Sequence, residues 1–242
     1  MVQEKGHIDE SDAPVSPRYS SKNSQKDLTQ LDFNKNIIYQ HNLNQSNENY
    51  HSRKKLLVFD PSGIIFYKVH RRDFHISKQI AAKYKNGSFR KNNYRIYLRP
   101  GAIEFLHYLI HEYQGDIMIW TSMEEQTAYP IIRKLVGPYN MCAFKAIWYR
   151  PECDIDTEGE EYDVIKSIDK IIANPVINSD GQLDKSSIII YDDNFRKIRC
   201  VDNNSRRLVP TFDATKWNND DKFLFELIDE LRNDKFCTDC NF

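Results

Sequence analysis

Three short runs of apolar residues constrain the fold of this chain most. They are LLVF (56–59), DIMIW (116–120) and SIIIY (187–191). Runs of this length without alternating polar residues are typical of strands that are covered on both faces of a parallel sheet. Segments with helical periodicity separate them along the chain. The sequence therefore predicts an α/β domain with a doubly wound, mostly parallel sheet.

Further elements fit the same order. The sequence predicts strands over 64–69 (IIFYKV), 94–98 (YRIYL) and 144–149 (FKAIWY), and a helix over 164–173 (VIKSIDKIIA). The polar stretch between about residues 70 and 93 is interpreted as a small β flap or hairpin excursion. No block of sequence is large enough for a separate cap domain.

The composition divides the chain into three parts. Residues 1–52 are rich in polar residues and lack apolar periodicity, so we predict a disordered N-terminal tail. Residues 53–233 form the predicted folded domain, and 234–242 form a C-terminal tail. That tail holds Cys237 and Cys240 as a CxxC pair, but no second pair of ligands is evident, which favours free thiols over a zinc site.

The overall charge and hydropathy limit the classes of partner. The formal net charge is −1, so bulk electrostatics does not favour binding to nucleic acid. No apolar run has the length of a membrane span. The N-terminus has neither the apolar core of a signal peptide nor the features of a mitochondrial presequence. A nuclear or cytoplasmic location is therefore expected.

Polar side chains follow each of the three buried runs, where ligands bind in sheets of this kind. They are Asp60 and Ser62, Thr121 and Ser122, and Asp192 and Asp193. Carboxylates that converge at one sheet edge form a site for a hard cation, and Mg2+ prefers such oxygen ligands. Hydroxyl groups can hold phosphate oxygens, and a lysine such as Lys166 can neutralise phosphate charge. Together these groups suit phosphoryl transfer through an aspartyl-phosphate.

Each of these residues also has a purely structural interpretation. An aspartate after a strand is often a turn residue, and Thr121 with Ser122 could cap a helix. Lys166 alone reads as a solvated lysine on a helix. The shared position at the ends of the strands favours the functional interpretation of the whole set.

The motifs resemble those of one protein family. The matching text is KKLLVFDPSGII, YLRPGAIEFLHYL, IMIWTS, VIKSIDKI, SIIIYDDNFRK and LVPTFDAT, in this order over residues 54–232. The chain resembles the C-terminal-domain phosphatases, also called NLI-interacting-factor-like, of the haloacid dehalogenase (HAD-like) superfamily. The resemblance implies a Mg2+-dependent phosphatase that acts on phosphoserine or phosphothreonine in a protein segment.

The resemblance also implies a role for each candidate residue. Asp60 matches the nucleophile, which also binds Mg2+. Thr121 matches the motif that holds the phosphoryl group, with Ser122 beside it, and Lys166 matches the motif lysine. Asp192 matches the metal aspartate of the last motif, and Asp193 follows it.

The sequence departs from the family pattern at Ser62. The family has a second aspartate there, which protonates the leaving oxygen and later activates water, while its carbonyl oxygen binds Mg2+. A serine at this position keeps the backbone carbonyl, but its hydroxyl cannot transfer the proton as a carboxyl group does. General acid–base catalysis typically contributes about 10²- to 10⁴-fold in rate. Ile64 and the Asn194–Phe195 pair also replace the usual residues. Two functions remain open: a slow phosphoprotein phosphatase, and a catalytically inactive pseudophosphatase that binds or scaffolds a protein partner.

Overall fold

The structure is a computed structural model that describes residues 55–84, 87–160, 163–216 and 220–233. The predicted N-terminal tail (1–52) and C-terminal tail (234–242) lie outside these residues. Their interpretation, including that of Cys237 and Cys240, therefore stays a prediction.

The described residues form ten strands and five α-helices. The strands are β1 (Leu56–Phe59), β2 (Phe66–His70), β3 (Ser88–Lys91), β4 (Tyr94–Leu98), β5 (Asp116–Trp120), β6 (Phe144–Trp148), β7 (Asp154–Ile155), β8 (Val164–Ile165), β9 (Ile188–Asp192) and β10 (Arg206–Leu208). The helices are α1 (Phe74–Lys83), α2 (Ala102–His111), α3 (Glu125–Val136), α4 (Ile168–Ile172) and α5 (Phe223–Asn233).

A five-stranded sheet in the order β10-β9-β1-β5-β6 forms the centre of the domain, and all its pairs are parallel. Strand β1 lies in the middle, and each of its four residues is at most 2% exposed. Leu57 and Phe59 pack on the side of α2, α3 and α5, whereas Leu56 and Val58 pack on the side of α4. The predicted doubly wound parallel sheet is confirmed.

The excursion after the first motif is a flap with more structure than predicted. Strands β2, β4 and β3 form a separate antiparallel sheet in that order. The predicted strand over 64–69 begins only at Phe66, because the backbone turns at Pro61, whose carbonyl accepts hydrogen bonds from the amides of Ile65 and Phe66. Helix α1 within the flap was not predicted, since it buries only Ile80 and has no strong apolar period.

The predicted helix over 164–173 was wrong in its first half. Val164 and Ile165 form the short strand β8, which pairs with β7, and α4 covers only Ile168–Ile172. Valine and isoleucine favour strands because their branched side chains pack well on a pleated surface. Lys166 therefore lies in an extended connection before the helix, not on a helix surface.

The Arg99 guanidinium connects the flap to the end of the domain. Its Nε donates to both carboxylate oxygens of Asp221, at 3.2 and 2.9 Å, and its Nη1 donates to the carbonyl of Pro210 at 2.8 Å. The guanidinium also lies 4.5 Å from the ring centroid of Phe223, the first residue of α5. Arg99 is only 4% exposed. It belongs to the Arg-Pro-Gly motif, which thus has a structural role.

We expect Arg99→Met to lower the free energy of unfolding by about 3 kcal/mol, because it leaves the Asp221 carboxylate without its cation in a part-buried position. Urea unfolding measures this change. Arg133→Met on the exposed face of α3 is the matched control and should change stability by less than about 0.5 kcal/mol. Equal effects of the two substitutions would contradict the role of Arg99.

Candidate active site

Asp60 lies at the carboxyl end of the central strand and is completely buried. Its backbone amide donates to the carbonyl of Tyr191 at 3.1 Å, which continues the pairing of β1 with β9. The Ser62 amide donates to Oδ1 of Asp60 at 3.2 Å. These bonds fix the carboxylate at the edge where parallel sheets bind ligands.

Lys166 joins two carboxylates through one ammonium group. Its Nζ lies 3.0 Å from Oδ2 of Asp60 and 2.6 Å from Oδ2 of Asp192. All three side chains are completely buried. The interpretation of Lys166 as a solvated lysine was therefore wrong, and the structure brings Asp60, Lys166 and Asp192 into direct contact.

A second lysine contacts the same carboxylates, and the sequence analysis did not single it out. Lys197 lies in a short 3-10 turn after β9, and its Nζ is 3.0 Å from Oδ2 of Asp60. The same atom is 3.8 Å from Oδ1 of Asp192. The Lys197 carbonyl also accepts a 2.7 Å hydrogen bond from the Lys166 amide. The one available signal in the sequence was its place four residues after Asp193, inside the last motif.

The two lysines set the protonation state of the site. Burial alone would raise the pKa of Asp60, but the charges of Lys166 and Lys197 outweigh it and hold that pKa well below its usual value. Burial would lower the pKa of Lys197, but Asp60 and Asp192 raise it above its usual value. Asp60 is therefore an ionised carboxylate at neutral pH, as a nucleophile must be.

Thr121 lies at the end of β5, next to β1 in the sheet. Its side chain is completely buried, and its amide donates to the carbonyl of Trp148 at 2.9 Å. Oγ1 accepts a hydrogen bond from the Met123 amide at 3.3 Å, which leaves the hydroxyl hydrogen free for another acceptor. Ser122 is partly exposed beside it, and its carbonyl accepts from Arg150 at 3.4 Å.

Asp193 packs against the loop that carries Ser62. Gly63 has a φ of +85°, and a Cβ at that position would lie 2.0 Å from Oδ2 of Asp193. Only glycine therefore lets the carboxylate approach this loop. Burial raises the pKa of Asp193; nearby Asp192 and Asp60 raise it further, while Lys197 lowers it. Among the three carboxylates of the last and first motifs, Asp193 is the one without a lysine salt bridge.

The donor chemistry of this edge fits a magnesium ion that is completed by other ligands. Within the described residues, no three His, Cys, Asp or Glu side chains form a ready cage for a metal, since Lys166 and Lys197 lie between the carboxylates. Mg2+, however, commonly binds through one or two carboxylates together with waters and phosphate oxygens. Asp60, Asp193 and the carbonyl of Ser62 are the protein oxygens that could hold it, whereas Asp192, the metal aspartate predicted from the sequence, is bonded to Lys166.

The family assignment follows from a direct match. The family described as "NLI interacting factor-like phosphatase" matches residues 55–241. The chain belongs to this family. It therefore contains a protein phosphatase domain, and the resemblance seen in the motifs is confirmed. In the described part of the chain, none of the helices has the length and apolar character needed to cross a membrane.

Two structures of the phosphatase Fcp1 are among the solved structures that are similar to this chain. One is the fission yeast RNA polymerase II CTD phosphatase Fcp1, in a variant bound to beryllium fluoride, with 15% identity over 75% of this chain and 50% of that chain and a TM-score of 0.43. The other is Fcp1, described as an essential RNA polymerase II CTD phosphatase, with 14% identity over 77% of this chain and 51% of that chain and a TM-score of 0.40. The chain thus spans about half the length of each. No curated protein sequence matches it.

We expect Lys166→Met to destabilise the domain by about 3–5 kcal/mol, because two buried carboxylates lose their shared cation. Thermal or urea unfolding at neutral pH measures the change. Lys170→Met is the control: Lys170 bonds to Asp154 in a half-exposed pair, and its loss should cost less than about 1 kcal/mol. A Lys166→Met protein as stable as the control variant would contradict the network described above.

Proposed function

We propose that this domain removes phosphoryl groups from phosphorylated serine or threonine in a protein segment, through an aspartyl-phosphate on Asp60. The observation that carries the proposal is the ionised, fully buried carboxylate of Asp60 between Lys166 and Lys197 at the carboxyl edge of the sheet. In the first step an oxygen of Asp60 attacks phosphorus, the bond to the serine or threonine oxygen breaks, and that oxygen takes a proton from water. In the second step water cleaves the acyl phosphate and restores the carboxylate.

The other residues of the site hold the transferred group. The free hydroxyl hydrogen of Thr121 and the ammonium of Lys166 are suited to bind phosphoryl oxygens. Asp60, Asp193 and the Ser62 carbonyl would hold Mg2+, the cofactor that this superfamily generally uses. Mg2+ would supply neutralisation of the charge on the phosphoryl oxygens.

The absence of a large cap favours a protein substrate. The excursion after the first motif is a flap of three strands and one helix, and the other excursion from the central sheet in the described residues is the small β7–β8 pair. A site that no cap domain covers admits a phosphorylated segment of a partner protein more readily than it encloses a metabolite. The proposed nuclear or cytoplasmic location is compatible with such a partner and remains a prediction.

Ser62 sets the expected rate. Its hydroxyl cannot give a proton to the leaving oxygen or take one from water near pH 7, so both steps lack a general acid or base at this position. This absence also supports the second candidate function, a pseudophosphatase that binds a phosphorylated partner without turning it over. The two functions share the binding site and differ only in the chemical steps.

We expect slow hydrolysis of p-nitrophenyl phosphate and of a phosphoserine peptide by the full chain in the presence of Mg2+. Asp60→Asn should abolish the hydrolysis, because the amide is not a nucleophile for this reaction. Ser62→Asp should raise kcat by about 10² or more, since it restores the proton transfer. Activity that survives Asp60→Asn would exclude the proposed mechanism. If the wild type does not hydrolyse either substrate and Ser62→Asp does, the protein is a pseudophosphatase.

Lys197 should make the site a poor binder of Mg2+ alone. Its ammonium lies 3.0 Å from Oδ2 of Asp60, and Asp60 is one of the residues that would hold Mg2+. Two cations beside the same carboxylate repel each other strongly in a buried site. We expect Lys197→Ser to tighten Mg2+ binding about tenfold in isothermal titration calorimetry without substrate. Arg196→Ser in the same turn, where the side chain is 62% exposed, is the control. Weaker Mg2+ binding by Lys197→Ser would contradict this role.

A further inference from the structure

The flap carries a concentration of positive charge. Residues 66–98 contain nine lysines and arginines and a single acidic residue, Asp73. The whole chain contains 34 lysines and arginines and 35 aspartates and glutamates. Acidic residues therefore predominate in the rest of the chain, and the net charge of the whole chain does not reveal that this segment is strongly basic. Such an uneven distribution creates a local positive potential that attracts anionic ligands.

The strand pairing gathers part of this charge on one face. Tyr94 lies opposite both His70 and Lys91, and Lys68 precedes His70 by two residues on the same side of the pleat. We name these four residues, Lys68, His70, Lys91 and Tyr94, the flap face. The His70 ring lies 5.1 Å from the Tyr94 ring, and Nζ of Lys68 lies 5.8 Å from its centroid.

The side of the flap sheet that carries the flap face is the side that packs on the core of the domain. Ile96 and Phe66, on the same side of the flap sheet, belong to the core cluster that contains Phe59. Val69 and Tyr97, on the opposite side, pack against Ile80 of α1.

One charge interaction and one hydrogen bond place the flap beside the candidate active site. Lys68 is close enough to Asp60 and Lys197 for both charges to act on its ammonium group. The hairpin that joins β3 to β4 is tied to α3, because Nδ2 of Asn92 donates to the Gln126 carbonyl at 3.2 Å. Helix α3 begins four residues after Thr121. The flap thus runs from the nucleophile to the neighbourhood of the phosphate-binding hydroxyls.

Among the described residues, no carboxylate forms a salt bridge with these cations. In the described ranges, neither Lys68 nor Lys91 forms an ion pair, and the same holds for Arg90 and Arg95 on the other side of β3 and β4. Cationic groups beside an aromatic ring, without a salt bridge in the described residues, suit an anionic peptide: the cations bind the phosphate and the ring packs on its backbone or apolar side chains.

We infer that the flap face binds a second phosphoryl group on the protein segment that presents its first phosphorylated residue to Asp60. The favoured partner is therefore a multiply phosphorylated protein segment. This inference rests on the proposed function, because it requires that one phosphorylated residue occupies the site at Asp60. It adds a source of specificity that lies outside the catalytic residues.

The test compares two peptides of one sequence, singly and doubly phosphorylated, in fluorescence anisotropy with the full chain carrying Asp60→Asn to prevent turnover. The doubly phosphorylated peptide should bind about tenfold more tightly, the effect of one charge-assisted interaction. Adding Lys91→Glu should remove this preference and leave the affinity for the singly phosphorylated peptide within twofold. Lys91→Gln, a milder change at the same position, should remove most of it.

Lys78→Glu is the matched control, because it makes the same charge change on the exposed side of α1, behind the flap sheet. It should leave the preference for the doubly phosphorylated peptide intact. Equal affinities for the two peptides, or equal losses with Lys91→Glu and Lys78→Glu, would overturn the inference. A single-stranded RNA that competes as well as the doubly phosphorylated peptide, and weakens with Lys91→Glu, would reassign the face to nucleic acid and also overturn it.

Failure of the proposed function has a different signature in the same experiment. The singly phosphorylated peptide would then bind no better than its unphosphorylated counterpart in any variant. Failure of the flap inference alone leaves that difference intact and removes only the advantage of the second phosphate.

Discussion

The Lys166 ammonium between Asp60 and Asp192 is the interaction on which the site depends. It joins the ends of the two central strands β1 and β9 to the connection that follows β8, and all three charged groups are completely buried. Charges in such a position are stable only when they are paired with good geometry. The apolar strands place the carboxylates, and the charges of Lys166 and Lys197 hold the pKa of Asp60 below its usual value. Under the proposed function, the same ion pairs serve both the stability of the domain and its chemistry.

The remaining charged groups of the site have opposite effects on the charge around Asp60. Lys197 adds a second cation to Asp60, whereas Asp193 contributes a carboxylate without a lysine salt bridge, and Gly63 lets it lie close to the loop. Ser62 keeps the backbone of the motif and lacks the proton-transfer group. A phosphoryl group would meet cations, a hydroxyl and a nucleophile, but no general acid at the usual position. Binding is thus better supported by these residues than rapid turnover.

The strands and most of the site could be predicted from sequence because buried parallel strands leave a direct apolar signal, and the polar residues after them mark the ligand edge. Lys166 was among the candidate residues, and the structure brings it to Asp60 and Asp192, but it was predicted on a helix because the branched residues before it fit a helical period as well as a strand. Lys197 was missed because a 3-10 turn has no periodic signal, and only the folded chain brings it to Asp60. The helix within the flap was missed because its apolar face is small. Each of these errors concerns a short element whose conformation is decided by tertiary contacts.

The most direct test of the central claim is a rapid-quench measurement of p-nitrophenol release from p-nitrophenyl phosphate by the full chain with Mg2+. This leaving group needs no general acid, so phosphoryl transfer to Asp60 should be fast while hydrolysis of the acyl phosphate stays slow. The account predicts a burst of one p-nitrophenol per protein molecule. After acid quenching, mass spectrometry should find a phosphoryl adduct on the peptide that contains Asp60. Absence of both the burst and the adduct, in a protein that still binds phosphopeptide, would contradict the account and leave a binding domain without chemistry.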